Sequence, residues 1–160
     1  MKRIGRVLSV LAVLCMFASC STTSVDEEME SFQYEAQVST MEMEILELVN
    51  QHRASIGLNT LDFNKIAYTY AMEHTNDMIG KREINHDDFD RRSSDLTVEA
   101  KANYVSEIVG RNFITAEGVV NAWLKSDSHR KAIEGDYFYT AVSAKKDSQG
   151  IFYFTQLFFR

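Results

Sequence analysis

Apolar residues recur at helical spacing in two long segments near the start of the chain. The apolar positions of the first segment are Ile45, Leu48, Val49 and Ile56. They predict a helix that begins at Ser39 or Thr40 and is stopped by Gly57, the residue type that best tolerates a left-handed cap. The second segment predicts a helix from about Leu61 to Ile79, which Gly80 ends.

The remainder of the chain predicts shorter elements. They are, in order, a polar loop over 81–90, a short helix over 88–95, a strand over 104–109, a helix over 115–126, a helix over 128–133 and a hairpin of strands 137–145 and 151–159. Thr115 and Ser128 are the expected caps of the two later helices. The aromatic density of the hairpin indicates burial on both faces. Helices followed by a sheet that helices cover indicate the α+β class with a layered core.

The N-terminus has the pattern of a secretory signal. Three basic residues precede an apolar stretch over 7–17, which is shorter than the roughly 20 residues that a membrane-spanning helix needs. The stretch ends in Phe-Ala-Ser-Cys at 17–20, which resembles a bacterial lipobox. We therefore expect residues 1–19 to be a lipoprotein signal peptide and Cys20 to carry the lipid anchor. The alternative is an ordinary secreted protein that is cleaved elsewhere.

Composition adds three points about the chain after the signal. Residues 20–39 are polar and acidic and lack apolar periodicity, which is typical of a tether, so we expect the globular domain over 40–160. The signal carries three of the 17 basic residues and none of the 23 acidic ones, which leaves 14 basic residues and a net charge of −9. That acidity argues against a nucleic-acid surface. Cys15 leaves with the signal and Cys20 is the lipid acceptor, so no disulfide is expected.

The four histidines are the first candidates for chemistry. His52 and His74 lie on apolar helical faces, where a histidine is more often a core or boundary residue than a ligand. His86 lies in a loop, His129 at a helix start, and Glu107 in an extended segment between them. These three are far apart along the chain, so spacing alone does not join them. The sequence holds no His-Glu-x-x-His helix, no Gly-x-Ser-x-Gly elbow and no phosphate-binding glycine loop.

Five segments, in this order, resemble motifs of the CAP superfamily (cysteine-rich secretory proteins, antigen 5 and pathogenesis-related proteins), in particular its small bacterial branch. The likeness spans about 44–159, nearly the whole expected domain. The segments are 50–53, similar to Asn-x-x-Arg; 71–78, similar to Ala-x-x-His-x-x-Asp-Met; 85–86, similar to the end of Phe-Ser-His; 123–130, similar to Trp-x-x-Ser-x-x-His-Arg; and 153–158, similar to Tyr-x-x-Gln-x-Phe.

The resemblance implies a three-layer α-β-α sandwich with a shallow cleft lined by His86, Glu107, Ser126 and His129. Two imidazoles and one carboxylate are a legitimate zinc set with a fourth position open, and some family members bind a divalent metal there. The competing interpretation is a hydrogen-bonded cluster in which Glu107 holds a histidine in one tautomer. Outside the cleft, the family motifs imply structural roles for Asn50, Arg53 and Trp123.

The chain departs from the family pattern at the cleft. The family's Gly-Glu-Asn is Ser-Glu-Ile at 106–108, and Ser126 stands where many eukaryotic members carry a second glutamate. A mechanism that needs two carboxylates therefore lacks one of them. Ser126 and His129 are spaced i, i+3, but no third orienting group and no oxyanion hole for a Ser-His hydrolase can be named.

Two classes of function follow from the resemblance. The first, which we favour, is an exported, lipid-anchored and non-enzymatic module that binds a lipid, sterol or peptide in the cleft and requires no cofactor. The second is a metal-dependent, peptidase-like hydrolase that uses His86, Glu107 and His129 with bound zinc. Ser21 replaces the aspartate that retains some lipoproteins on the inner membrane. The expected location is therefore the bacterial cell envelope, at the outer membrane or the cell surface, with the Cys20 lipid as the membrane attachment.

Overall fold

The computed structural model describes residues 38–160. The expected signal peptide, Cys20 and almost all of the expected tether therefore lie outside the described residues. Among residues 38–160, no helix is both long enough and apolar enough to cross a bilayer. This part of the chain holds five helices and four strands.

The helices are α1 (Thr40–Ser55), α2 (Lys65–Lys81), α3 (Phe89–Glu99), α4 (Ala116–Lys125) and α5 (Asp127–Ile133). The strands are β1 (Asp62–Phe63), β2 (Val105–Arg111), β3 (Tyr139–Lys146) and β4 (Phe152–Phe159).

All four strands belong to one mixed sheet with the order β1-β3-β4-β2. β3 and β4 form the predicted antiparallel hairpin, in which Tyr139 lies opposite Phe159 and Lys146 lies opposite Phe152. β2 pairs antiparallel with the other side of β4, and β1 pairs parallel with β3. Within the described sheet β2 is therefore an edge strand, with a neighbour on one side alone.

Helices cover both faces of this sheet. Side chains alternate along a strand, so Phe154 and Leu157 of β4 lie on opposite faces. The face of Phe154 packs against α1, α4 and α5, in a cluster that includes Ile45 and Trp123. The face of Leu157 packs against α2 and α3, in a cluster that includes Leu96. The α+β class and the three-layer α-β-α sandwich predicted from the sequence are confirmed.

A buried carboxylate ties α1 to the rest of the domain. Ser39 and Glu42 form a reciprocal capping box at the start of the helix. Glu42 Oε1 also accepts from the Ala144 amide of β3 at 2.7 Å, and Oε2 accepts from the Tyr68 hydroxyl of α2 at 3.1 Å. Because both oxygens accept hydrogen bonds, the burial of this charge is tolerated. Glu42 thereby links the two helical layers through the sheet.

The predicted start and end of the second helix are wrong. The helix begins at Lys65 rather than Leu61, because β1 pairs with β3 and the Asn64 side chain then caps the helix. It also continues past Gly80 and is followed by Arg82, which adopts the left-handed conformation with φ 60°. The pairing of a strand as short as β1 depends on β3, which lies far along the chain, so local patterns did not reveal it.

Two later boundaries also differ from the prediction. The short helix expected over 88–95 is α3, which continues to Glu99. The last helix begins at Asp127 with Ser126 as its N-cap residue, so Ser128 is not the cap. The predicted cap of α4 is in place, because the Thr115 side chain accepts from the Gly118 amide at 3.1 Å.

Candidate functional site

A buried ion pair joins the edge strand β2 to helix α3. Glu107 of β2 lies in the same strand row as Leu157 of β4, and so on the α3 face of the sheet. Arg92 of α3 donates to both carboxylate oxygens, from Nε to Oε2 and from Nη2 to Oε1, each at 2.9 Å. The side chains of Arg92 and Glu107 are only 2% and 1% exposed. This bidentate contact fixes the orientation of the carboxylate and neutralises its charge.

His86 reaches the same carboxylate from the loop between α2 and α3. Its Nδ1 lies 2.8 Å from Glu107 Oε1, and about half of the side chain, 53%, is exposed. An ionised carboxylate can only accept a hydrogen bond, so Nδ1–H is the donor. Nε2 of the neutral ring then carries the lone pair. The exposed imidazole of His86 therefore offers an acceptor to a ligand.

The loop that carries His86 begins and ends at a residue with a left-handed backbone, and Arg92 binds its second end. Arg82 and Asp88 adopt the left-handed conformation, with φ of 60° and 56°. Arg92 Nη1 donates to the backbone carbonyl of Asp87 at 2.6 Å. One guanidinium group thus orients the Glu107 carboxylate and the loop together.

His74 of α2 lies beneath this cluster. It is buried, and its Nε2–H donates to the Asn85 carbonyl at 2.9 Å while lying 3.7 Å from Glu107 Oε1. Burial lowers the pKa of His74 below its ordinary value of 6.5, although the Glu107 charge opposes the shift. The sequence predicted that His74 is a core or boundary residue, which agrees with its burial. It did not predict that His74 lies beside the Glu107 carboxylate.

His129 approaches from the opposite helical layer, on α5. It is half-buried, and its pKa is lowered by burial and secondarily by His86. Among residues 38–160 the His129 ring makes no hydrogen bond, and Ser126 Oγ instead lies 3.2 Å from Ser128 Oγ. The Ser126–His129 pair that a serine hydrolase would need is therefore not formed.

The residues present do not fit the predicted zinc set. Within residues 38–160, no group of three or more His, Cys, Asp or Glu side chains is placed to hold a metal ion. The physical reason lies in Glu107, because each of its oxygens accepts from Arg92 and Oε1 accepts from His86 as well. A metal ion at this carboxylate would also be repelled by the guanidinium charge.

An open cleft runs along β2 beside these residues. One part, of about 350 Å³, is lined by the consecutive residues 104–107 together with His86 and Phe89. The other part, of about 460 Å³, shares His86 and Phe89 and is bordered by Asp88, Asp90 and Arg91. The cleft is therefore shallow, with aromatic side chains along its wall and charged side chains at its rim. Of the four residues expected to line it, His86 and Glu107 do so, and Ser126 and His129 are not among the residues that line these two parts.

Arg92 and His74 are the two residues that the sequence prediction missed. A carboxylate in an extended apolar segment needs a charged or hydrogen-bonding partner if it is buried, and this requirement was a usable signal. Arg92 and the buried Leu96 are spaced i, i+4, which places them on one face of α3. That pattern could have identified Arg92 as a residue that faces the core.

The three residues expected to be structural make backbone contacts in the core. Arg53 is fully buried and donates to three backbone carbonyls at 2.7–2.8 Å. Asn50 exchanges two hydrogen bonds with the backbone of Leu61, at 3.0 and 2.8 Å. Trp123 Nε1–H donates to the Val109 carbonyl of β2 at 2.9 Å. These contacts join the α1 and α4 layer to the sheet and its loops.

The geometry agrees with a comparison against protein-family models. Residues 46–158 match the model of the CAP family, described as the cysteine-rich secretory protein family. The chain belongs to the CAP family. The resemblance drawn from five sequence motifs is thereby confirmed, and the CAP domain extends from α1 to the last strand.

A curated relative covers much of this chain. The uncharacterized membrane protein YlbC of Bacillus subtilis (strain 168) is 27% identical over 128 residues, which are 76% of this chain and 35% of that protein. The chain therefore spans about a third of the length of that relative.

Two solved structures share the architecture of the CAP domain. An outer surface protein from Borrelia burgdorferi superposes with a TM-score of 0.65 at 23% identity, over 86% of this chain and 95% of that one. A cysteine-rich secretory protein from Staphylococcus aureus superposes with a TM-score of 0.65 at 19% identity, over 77% of this chain and 39% of that one. At these identities the likeness establishes the fold.

Proposed function

We propose that this chain is an exported, lipid-anchored CAP-domain protein that works as a binding module, with the cleft of His86, Glu107, Ser126 and His129 as its ligand site. The observation that carries the proposal is the bidentate ion pair between Arg92 and Glu107. A general base needs a free lone pair within reach of the proton it removes. A carboxylate already held by a guanidinium and an imidazole is better suited to orient His86 than to do chemistry.

The cleft offers groups for recognition. His86 presents an acceptor nitrogen, and the half-buried His129 makes no hydrogen bond among the described residues. Phe89 and the exposed Tyr104 add aromatic surface along the same cleft. Aromatic side chains combined with a few oriented polar groups are typical of binding sites.

Of the three ligand classes that the family resemblance implies, we favour a peptide. A sterol or an acyl chain needs an apolar cavity that buries most of its surface. The part of the cleft around His86 is instead open and bordered by Asp88, Asp90 and Arg91. Such a rim favours a ligand with polar and charged groups of its own.

The binding proposal is tested with a peptide selected on the mature chain, residues 20–160, from a random library of linear peptides. We expect His86→Ala and His129→Ala each to weaken binding by about tenfold, which corresponds to about 1.4 kcal/mol. His52→Ala is the matched control, because His52 lies on α1, where its ring pairs with Glu134. Equal weakening by all three substitutions, or displaceable sterol or fatty acid with no selected peptide, would contradict the proposal.

We also propose that the CAP domain is displayed outside the cytoplasm on a Cys20 lipid anchor. The signal-like N-terminus supports this location, as do the names of the relatives, a membrane protein and an outer surface protein. Cys20→Ala should abolish incorporation of a labelled fatty acid and move the protein out of the membrane fraction. Protease treatment of intact cells then tests surface display, and a protein that stays uncleaved contradicts it.

A further inference from the structure

The backbone N–H and C=O groups of β2 alternate along the strand between pointing toward β4 and pointing away from the sheet. Tyr104 and Arg160 exchange both backbone hydrogen bonds, at 3.3 and 3.2 Å, and Asn112 N–H donates to the Phe152 carbonyl at 2.9 Å. Hydrogen-bonded pairs alternate along an antiparallel ladder. The even-numbered residues from 104 to 112 therefore face β4, and the N–H and C=O groups of the odd-numbered residues face outward.

The outward groups divide into a covered half and an open half. The carbonyl of Val109 accepts from Trp123 Nε1 at 2.9 Å, and residues 108–110 are buried. The outward N–H and C=O groups of Val105 and Glu107 make no hydrogen bond within residues 38–160, and residues 105–107 are only half-buried. Two residues of β2 thus present an unpaired ladder edge.

The open half of the edge is the floor of the cleft. Residues 104–107 line the hollow of about 350 Å³ together with His86 and Phe89. The loop of His86 and α3 border it on one face of the sheet, and α5 packs against β2 on the other face. The unpaired edge is therefore recessed between the two helical layers.

We propose that the cleft binds an extended peptide by strand addition, in which the peptide backbone pairs with the outward N–H and C=O groups of Val105 and Glu107. This inference rests on the proposed function of the cleft as a ligand site and adds its mode of recognition. Main-chain hydrogen bonds supply the affinity in this mode, and alternate side chains supply the specificity. The spacing of the free groups at residues i and i+2 matches the repeat of a β-ladder.

The length of the free edge and the charge at its rim indicate which occupant it takes. Among residues 38–160 the outward groups of only two residues of this edge are free, which suits a short extended peptide. Successive side chains of such a peptide would alternate between the face of His86 and Phe89 and the face of α5. The two carboxylates of Asp88 and Asp90 outnumber the one guanidinium of Arg91 at the rim, which favours a peptide that carries basic residues.

The experiment compares Val105→Pro with Val105→Ala in the mature chain (residues 20–160, with Cys20→Ser to prevent acylation), and the probe is the selected linear peptide. Proline removes the outward N–H of residue 105 and no hydrogen bond to β4, which is the position that tolerates proline in an edge strand. We expect Val105→Pro to weaken binding by about tenfold or more relative to Val105→Ala, because alanine keeps the outward N–H and proline lacks it. Thermal unfolding of both variants verifies that each is folded.

A second measurement keeps the test independent of the proline variant. Amide hydrogen exchange should be fast at Val105 and Glu107 and slow at Ser106 and Ile108 in the free protein, and the peptide should slow exchange at the first two. A copy of the peptide N-methylated at alternate residues should bind about tenfold more weakly.

The outcomes separate this inference from the proposed function. Binding that depends on His86 and His129 but leaves exchange at Val105 and Glu107 unchanged would overturn strand addition and leave the binding cleft in place. Binding that depends on neither histidine would overturn the proposed cleft. Protection of Val105 and Glu107 that grows with protein concentration in the absence of peptide would assign the edge to a second copy of the chain and overturn the inference.

Discussion

Arg92 and Glu107 lie in different layers of the sandwich, and they meet through two hydrogen bonds of 2.9 Å in a site that is almost closed to solvent. A buried charge that loses its partner retains the cost of leaving water, whereas an intact pair offsets that cost by mutual attraction. Removal of one member should therefore lower the free energy of unfolding far more than removal of both.

Arg92→Met should lower the free energy of unfolding by about 3–5 kcal/mol, because the buried Glu107 charge would lose its cationic partner and keep only the hydrogen bond from His86. The double variant Arg92→Met with Glu107→Gln should regain part of that loss. Urea unfolding monitored by circular dichroism measures both. Arg91→Met is the control, since its exposed pair with Asp95 is worth less than about 1 kcal/mol. A similar loss at both arginines would contradict the buried pair.

The architecture was predictable wherever the signals are local. Helical periodicity identified α1 and α2, the Thr115 cap marked α4, and the aromatic hairpin gave β3 and β4. The misplaced boundaries have tertiary or capping causes. β1 exists because it pairs with β3, and Gly80 stays helical although glycine often ends a helix.

The site was predictable only in part. The resemblance brought His86 and Glu107 together, and the structure places them in hydrogen-bond contact. Nothing in the spacing indicated that Arg92 would occupy both oxygens of the same carboxylate, because that contact depends on how α3 lies over β2. The zinc set was inferred from residue types, and residue types alone do not tell which lone pairs remain free.

Two glycines should respond in opposite directions to alanine. A Cβ at Gly135 would collide with the ring of Tyr137, whereas Gly80 lies in α2 with nothing near its Cβ position. We expect Gly135→Ala to destabilise the domain by about 1–3 kcal/mol and Gly80→Ala to stabilise it by about 0.5–1 kcal/mol. Midpoints of thermal unfolding test the pair, and a stable Gly135→Ala variant would show that the Tyr137 ring moves freely.

Zinc should not stabilise the domain. A ligand that binds only the native state raises the unfolding midpoint, and the stabilisation grows with the logarithm of its concentration above Kd. The contacts of Glu107 leave no suitable zinc site among the described residues. We expect no thermal shift on adding zinc and no metal in protein purified without chelator. Stoichiometric zinc that disappears in His86→Ala and His129→Ala would contradict this expectation and reinstate the metal set.

Stability should fall as the pH drops below about 6.5 because two histidines have depressed pKa values in the native state. Burial is the main cause at both His74 and His129, whose ordinary value is 6.5. The charged groups nearest His74 are Glu107, Asp77 and Arg92, of which the carboxylates oppose the shift and the arginine adds to it.

The sign of the pH dependence follows from proton uptake. Below the ordinary histidine pKa the unfolded chain binds protons that the native state does not, so the free energy of unfolding decreases as the pH falls until the native pKa values are reached. Each histidine contributes a limiting slope of about 1.4 kcal/mol per pH unit. Urea unfolding across this range measures the slope, and His129→Gln and His74→Gln should each flatten it, because glutamine does not titrate. An unchanged slope in both variants, or stability that rises on acidification, would show that the two rings are not held neutral by burial.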